Sequence, residues 1–263
     1  MKKVLFIYDH KYPNYWKDGL YAALELLEND YEIEYRNLAT KGNTYGYEEF
    51  DFVLGWGGFG SPVDIAIREL QVTKGLCIAG NAIPPNQTSV GYDVLFYETE
   101  WYYPSITFHP NTVRAFGVNT NIYNHMEAPK IIDVLSVGSF SNWKRQKMMV
   151  YEEGIRLVIG ELQINNMDES LYIANELISH GVGVMDMVPP ESLAILYNMS
   201  KLVYIPSDVY GGGERAVWEA KACGVDVKVE PDNPKLKELL YEDYMDHIHY
   251  AEALKEGIES CIA

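Results

Sequence analysis

Tyr210-Gly-Gly-Gly-Glu-Arg-Ala-Val-Trp-Glu-Ala-Lys-Ala-Cys-Gly224 is a glycine-rich turn that runs straight into a helix. Gly211, Gly212 and Gly213 leave no side chain between the backbone and a ligand. The helix behind them offers unpaired N–H groups and the positive end of its dipole, an arrangement suited to a phosphate or diphosphate. The stretch before it, Leu193 to Ser207, reads as a helix, a turn and a buried strand ending in Pro206-Ser207. In doubly wound sheets ligands lie beyond the carboxyl ends of the strands, where a loop passes into the next helix. The three glycines occupy that place. A flexible turn without a ligand is the plain alternative, and the flanking Pro-Ser and Glu214 weigh against it.

Outward from this turn, short apolar runs alternate with helical periodicity in both directions. Val134–Gly138, Val158–Gln163, Gly183–Met187, Leu202–Ile205 and Val225–Val229 read as strands. Between them, helices are expected near Lys144–Leu157 and over Asp168–Ser179, Leu193–Met199 and Glu214–Ala222. The first half gives strands at Val4–Tyr8, Tyr31–Tyr35, Phe52–Gly55, Gly75–Ala79 and Val94–Tyr97, with helices around Trp16–Leu27 and Pro62–Leu70. Strands alternating with helices imply parallel sheets. The reading is an α/β protein of two doubly wound, Rossmann-like domains facing a cleft, residues 1–127 and 128–263. Pro129 and polar neighbours mark the break between them. The helical tail, Asp243 to Cys261, is assigned to the second domain, with scope to pack back toward the first.

Length and composition narrow the function. The 263 residues carry a formal charge of −17. So acidic a chain is a poor nonspecific binder of nucleic acid or of an anionic membrane, both of which need a basic surface. Three cysteines, Cys77, Cys223 and Cys261, have neither an even count nor CxxC spacing, so no disulfide framework or zinc site is expected and a reducing, cytoplasmic setting is the simpler one. The apolar run after Met1 stops at Asp9, too short for a signal core, and reads as a strand. Nothing in the pattern sets an oligomeric state, and HExxH, GxSxG and P-loop motifs are all missing.

Several side chains are candidates for chemistry. Glu219, in the second turn of the glycine-loop helix, has two oxygens suited to a ribose diol; a surface pair with Arg215 is the competing role. Glu214, nearer the glycines, could meet sugar hydroxyls or stabilise positive charge at an anomeric carbon, or could simply be a first-turn acid favoured by the dipole. In Val137-Gly-Ser-Phe-Ser-Asn-Trp-Lys144-Arg145-Gln-Lys147, Gly138 and Ser139 close a strand, and the cations that follow answer to an anion or form a solvated basic patch. Backbone groups at Met187 and Val188 could pair with a nucleobase edge, with Pro189, Pro190 and Glu191 opening the next helix. In the first half, Gly55–Gly60 could let a sugar approach the backbone. His10, His109 and His125 are isolated, and His109 is carried as a catalytic candidate. Asn81–Asn86 and Glu98–Pro104 read as loops with faces for sugar stacking or for packing.

Together these segments resemble the retaining glycosyltransferases of family 4, which have the glycosyltransferase-B fold. Val137-Gly-Ser-Phe…Lys144 is similar to their "VGRL…KG" segment. Val188-Pro-Pro-Glu-Ser-Leu-Ala-Ile-Leu-Tyr-Asn is similar to the helix that opens "V…eeLp.lY". Tyr204-Ile-Pro-Ser…Gly-Gly-Gly-Glu-Arg-Ala-Val-Trp-Glu-Ala is similar to "lPS…E-x7-E-A". The resemblance covers nearly half the chain, and before Val134 it is carried only by Phe116-Gly-Val-Asn-Thr…Tyr123.

What the resemblance implies is a metal-independent retaining transfer from a nucleoside-diphosphate sugar, of UDP or GDP type, to a hydroxyl acceptor. It implies no separate cofactor. Glu219 would hold the ribose, Lys144 the diphosphate. Two departures stand out: the first Glu of the pair falls at Gly211, leaving Glu214 to substitute, and the Arg after Gly138 is Ser139, leaving Arg145 or Lys147 as a second cation. The acceptor-side domain is also short for this fold.

Overall fold

A computed structural model of the chain describes residues 1–9, 18–41, 46–79 and 91–262. These residues form two compact units, Met1–Gly117 with Met245–Ala263, and Val118–Tyr244.

The first unit is built on a six-stranded sheet in the order β2-β1-β3-β4-β5-β6. Its strands are β1 (Lys2–Tyr8), β2 (Tyr31–Asn37), β3 (Phe52–Trp56), β4 (Lys74–Ile78), β5 (Val94–Tyr97) and β6 (Thr112–Arg114). Every pairing is parallel. That explains the unbroken apolar runs: Val4–Ile7, Phe52–Leu54 and Val94–Phe96 are buried on both faces. Helix α1 (Gly19–Leu27) starts where the Asp18 carboxylate accepts the Tyr21 N–H, and it buries Leu20, Ala23, Leu24 and Leu27. Four-residue α2 (Leu38–Lys41) and α4 (Tyr103–Ile106) flank α3 (Pro62–Ile67), which is capped by Ser61.

Gly55 serves this packing. A Cβ there would stand 2.3 Å from Ile67 Cδ1, so the missing side chain lets α3 close on the sheet. The 81–86 loop and His10 lie outside the described residues.

The second unit holds a five-stranded parallel sheet in the order β11-β10-β7-β8-β9. Its strands are β7 (Ile132–Val137), β8 (Arg156–Ile159), β9 (Gly183–Met185), β10 (Ser200–Ile205) and β11 (Asp226–Val229). The helices are α5 (Met167–Ser179), α6 (Pro190–Asn198), α7 (Glu214–Ala222) and α8 (Pro234–Tyr241). Pro190 and Pro234 stand in the first turns of α6 and α8, where a missing N–H removes no hydrogen bond. Sequence order reverses between β7 and β10, so the switch point of this sheet lies at their carboxyl ends.

The expected helix near Lys144–Leu157 is replaced by two short 3₁₀ turns, Asn142–Lys144 and Gln146–Tyr151. Arg145 between them has φ of 51°, in the left-handed region, and this breaks the helical path.

Helix α9 (His247–Ile262) belongs to the first unit, where it packs on α1, β5 and β6. Gly257 makes that approach possible: a Cβ would meet the Phe96 ring at 2.4 Å. Lys255 pairs with Asp30 at 2.8 Å.

Candidate anion-binding site

Two loops leave the switch point of the second sheet. One follows β7 through Gly138 to Lys144, and the other follows β10 through Pro206 to Gly213. Their backbones are clasped. Asp208 N–H donates to the Trp143 carbonyl at 3.0 Å, and a Cβ on Gly211 would sit 2.2 Å from that same oxygen. Gly211 is therefore a glycine of close approach. The place where the resemblance implies a glutamate has no room for any side chain.

Gly138 has φ of 146°, a conformation side chains rarely adopt, and the Lys144 chain lies over it. A Cβ at Gly138 would meet Lys144 Cδ and Cε at 3.2 Å. The loop itself is pinned by buried Gln146, whose amide nitrogen donates to the Gly138 carbonyl at 3.0 Å and the Ser139 carbonyl at 2.6 Å. Ser139 Oγ accepts from Gln163 at 3.2 Å, so it serves the loop's framework. Gly160 backs onto the Gly138 carbonyl, which a Cβ would strike at 2.1 Å.

The glycine turn leads into α7, with Gly212 at φ 66° and Gly213 at φ 121°. Gly213 is the N-cap and supplies no capping side chain. Glu214 is the first helical residue and is buried, and its carboxylate pairs with Lys235 Nζ at 2.6 Å. Lys235 is wholly buried in the first turn of α8, an element set in place by Asn233. The Asn233 amide nitrogen donates to the Ser207 and Asp208 carbonyls at 3.0 and 2.8 Å, while its Oδ1 caps Leu236 N–H. One asparagine thus ties the start of α8 to the loop after β10.

Lys144 feels this group directly. Burial pushes its pKa down from 10.5 to about 8; Glu214 works the other way, while Arg215 and Lys235 add to the lowering. Three cations and one carboxylate therefore act on one another near the start of α7, which leaves an excess of positive charge there.

Other expected residues have different engagements. Arg145 pairs with Asp232 at 2.7 Å and lies 3.8 Å from Asp208, which braces the same loop from the side. Lys147 pairs with Glu176 at 2.9 Å and stands 4.1 Å over the Tyr172 ring on α5, and is thereby diverted from the glycine turn. Met187 N–H is taken by the Asp186 carboxylate at 2.8 Å, and Val188 is half-buried just before α6.

Glu219 is buried and accepts a 3.0 Å bond from the Tyr197 hydroxyl. Burial, then the Glu219 charge, hold that phenol well above its usual pKa, so it stays a donor. His109 belongs to the first unit. Its Nδ1 lies 2.7 Å from the Asn111 carbonyl and its Nε2 3.0 Å from the Tyr92 carbonyl, so both ring nitrogens are spent on backbone. That is a framework role, and it corrects the catalytic expectation. His125 Nδ1 approaches the Cys223 carbonyl at 3.4 Å, at the end of α7.

Lys235 was missed from sequence. It lies on an element that follows β11, and only the fold brings it to Glu214.

No protein-family model matches the chain, and no curated protein matches it in sequence. Solved structures match its architecture. HepE from Anabaena, in complex with UDP and glucose, aligns with a TM-score of 0.64 at 14% identity, over 100% of this chain and 90% of that one. AviGT4, a glycosyltransferase involved in avilamycin A biosynthesis, aligns at 0.65 and 15% identity, over 100% and 98%. A putative UDP-N-acetylglucosamine 2-epimerase from Listeria monocytogenes aligns at 0.58 and 14% identity, over 100% and 91%. Likeness at such identities speaks for architecture alone. With its two parallel, Rossmann-like sheets, the chain has the glycosyltransferase-B fold.

Proposed function

We propose that the chain is a glycosyltransferase that moves a sugar from a nucleoside-diphosphate sugar to a hydroxyl acceptor, with retention of configuration, in the manner of family 4. The observation that carries this is the cation group at the β7–β10 switch point. Lys144 lies over Gly138, Lys235 is locked to Glu214, and the amides of the glycine turn open α7. The occurrence of UDP and UDP-glucose in the similarly folded HepE structures supports a UDP-type donor.

In this reading the diphosphate lies on the Gly212–Gly213 turn with Lys144 beside it. Glu219, oriented by Tyr197, accepts the ribose hydroxyls, and the loop at Met187 and Val188 receives the base. The bond from the anomeric carbon to the β-phosphate oxygen breaks as the acceptor oxygen bonds to that carbon from the same face. The acceptor proton passes to the departing phosphate. Charge builds up on the diphosphate during this step, and Lys144, Arg215 and the helix start stabilise it, which removes the need for a metal ion. Glu214 acts through Lys235 and shapes the site. The first unit would receive the acceptor. The setting would be cytoplasmic, in keeping with three free cysteines, two of them buried. Among the described residues no helix is long and apolar enough to cross a membrane.

A thermal-shift screen against UDP, GDP and ADP and their sugars names the donor class. Lys144→Ala and Glu219→Ala should each abolish most transfer while the circular dichroism spectrum stays unchanged. Full turnover in both variants refutes the assignment. The likeness to a putative 2-epimerase favours one second reading, conversion of the nucleotide sugar without an acceptor. Incubating UDP-N-acetylglucosamine alone and analysing the products separates the two. The crowded Gly211 and the tied Glu214 favour another, binding without turnover, for which a stabilising nucleotide sugar and no product in either assay would speak.

A further inference from the structure

Lys144 apart, the carboxylates and amides of the two clasped loops are already committed. Asp208 holds Tyr210 N–H at 2.8 Å and faces Arg145, Glu214 holds Lys235, Asn142 donates to Glu169, and Ser139 accepts from Gln163. Gly211 has no room for a side chain. In 139–147 and 207–214 the exposed residues are Asn142, Trp143 and Tyr210. The two rings project together, 56% and 45% exposed, with centroids 5.8 Å apart and planes at 74°. Trp143 immediately precedes Lys144, and Tyr210 immediately precedes the glycine turn, so the pair borders the cation group. The backbone of each is fixed by the clasp, which leaves the rings to a ligand without an ordering cost in the main chain.

Resting on the donor reading above, we propose that Trp143 and Tyr210 form the sugar subsite, gripping the transferred sugar by stacking on its C–H face. The sugar is the part of the ligand they fit. Glu219 lies more than a turn further along α7, held there by Tyr197 of α6, and in that reading takes the nucleoside side of the diphosphate; the aromatic pair lies at the opposite, glycine-turn end. A perpendicular pair of rings gives a corner with one face and one edge, which suits a saturated ring with an apolar side better than a flat base sandwiched between parallel planes. A site that offers rings and no free carboxylate selects a sugar through shape and apolar surface, and so tolerates the loss of a hydroxyl better than a change of ring geometry.

The test compares ligands with and without the sugar. Calorimetry of the full chain with UDP and with UDP-glucose should show Trp143→Ala and Tyr210→Ala each weakening UDP-glucose by about tenfold while UDP changes less than twofold. Trp143→Phe and Tyr210→Phe should restore most of the loss, which excludes a folding defect. Equal weakening of both ligands, or no weakening of either, overturns the sugar assignment. Should no nucleoside diphosphate bind the wild-type chain at all, the donor reading itself fails, an outcome distinct from failure of the subsite.

Discussion

Replacing Lys144 with methionine should raise the stability of the unliganded protein. The ammonium is held charged in surroundings that lower its pKa from 10.5 to about 8, with burial as the main cause. Keeping it charged at neutral pH therefore works against the fold by about 3 kcal/mol, or about 2 kcal/mol once the part of the side chain that solvent reaches is discounted. Methionine keeps the apolar stem over Gly138 and removes the charge, and Glu214 still has Lys235. For a unit of this size the gain corresponds to a rise in melting temperature on the order of 5 °C. The sign with pH follows from proton counting. Between pH 8 and 10.5 the folded wild type binds fewer protons at this site than the unfolded chain, so its stability increases with pH and the gap to the variant closes.

Donor binding runs the opposite way, because a diphosphate needs the charged form and should weaken as pH rises through 8. Melting curves at pH 7 and pH 9.5, with and without UDP, read all of this. A variant that melts below wild type at pH 7, or a gap that is unchanged at pH 9.5, refutes the electrostatic argument. UDP stabilising the variant as strongly as wild type removes Lys144 from the diphosphate.

Lys235→Met takes from buried Glu214 its direct ion-pair partner and leaves only the Lys144 charge nearby, so it should cost about 3 kcal/mol in urea unfolding, most of it recovered in the Lys235→Met/Glu214→Gln double variant. Gly211→Ala drives a methyl into the Trp143 carbonyl, so it should cost about 2 kcal/mol and lower nucleotide affinity, since the clasp between the loops must open. Tyr197→Phe removes the donor to Glu219 and should cost about 2 kcal/mol. If Glu219 holds the ribose, isothermal titration should also show this variant discriminating less between UDP and 2′-deoxy-UDP.

The strands and α7 were legible because their signals are local. Val94–Tyr97 and Glu214–Ala222 fall where the apolar runs and the glycine turn put them. The region after Gly138 was not, because the helix expected near Lys144–Leu157 is split into two turns by the left-handed Arg145, a backbone conformation that residue type does not signal. For the same reason Lys147 misled: its partner Glu176 and the Tyr172 ring belong to α5, whose position relative to Lys147 no spacing rule supplies. Lys235 and Asn233 could not be found from sequence, since their contacts with Glu214 and Ser207 span 21 and 26 residues of chain. The substitution at Gly211 was visible as a departure, but its cause, the Trp143 carbonyl, is a backbone atom that no motif contains.

The placement of α9 bears on how the chain acquires its structure during synthesis. Residues 118–244 are one continuous stretch, and every side chain assigned here to nucleotide or sugar lies within it. That stretch can close its sheet as soon as it leaves the ribosome. The unit begun by β1 cannot, because the helix that covers α1, β5 and β6 is translated more than a hundred residues after β6. The expected order of maturation therefore runs against the usual amino-first sequence, with an apolar surface around Phe96 left waiting for Gly257 and its neighbours. A fragment of 118–244 is accordingly the natural vehicle for isolating nucleotide capture from turnover.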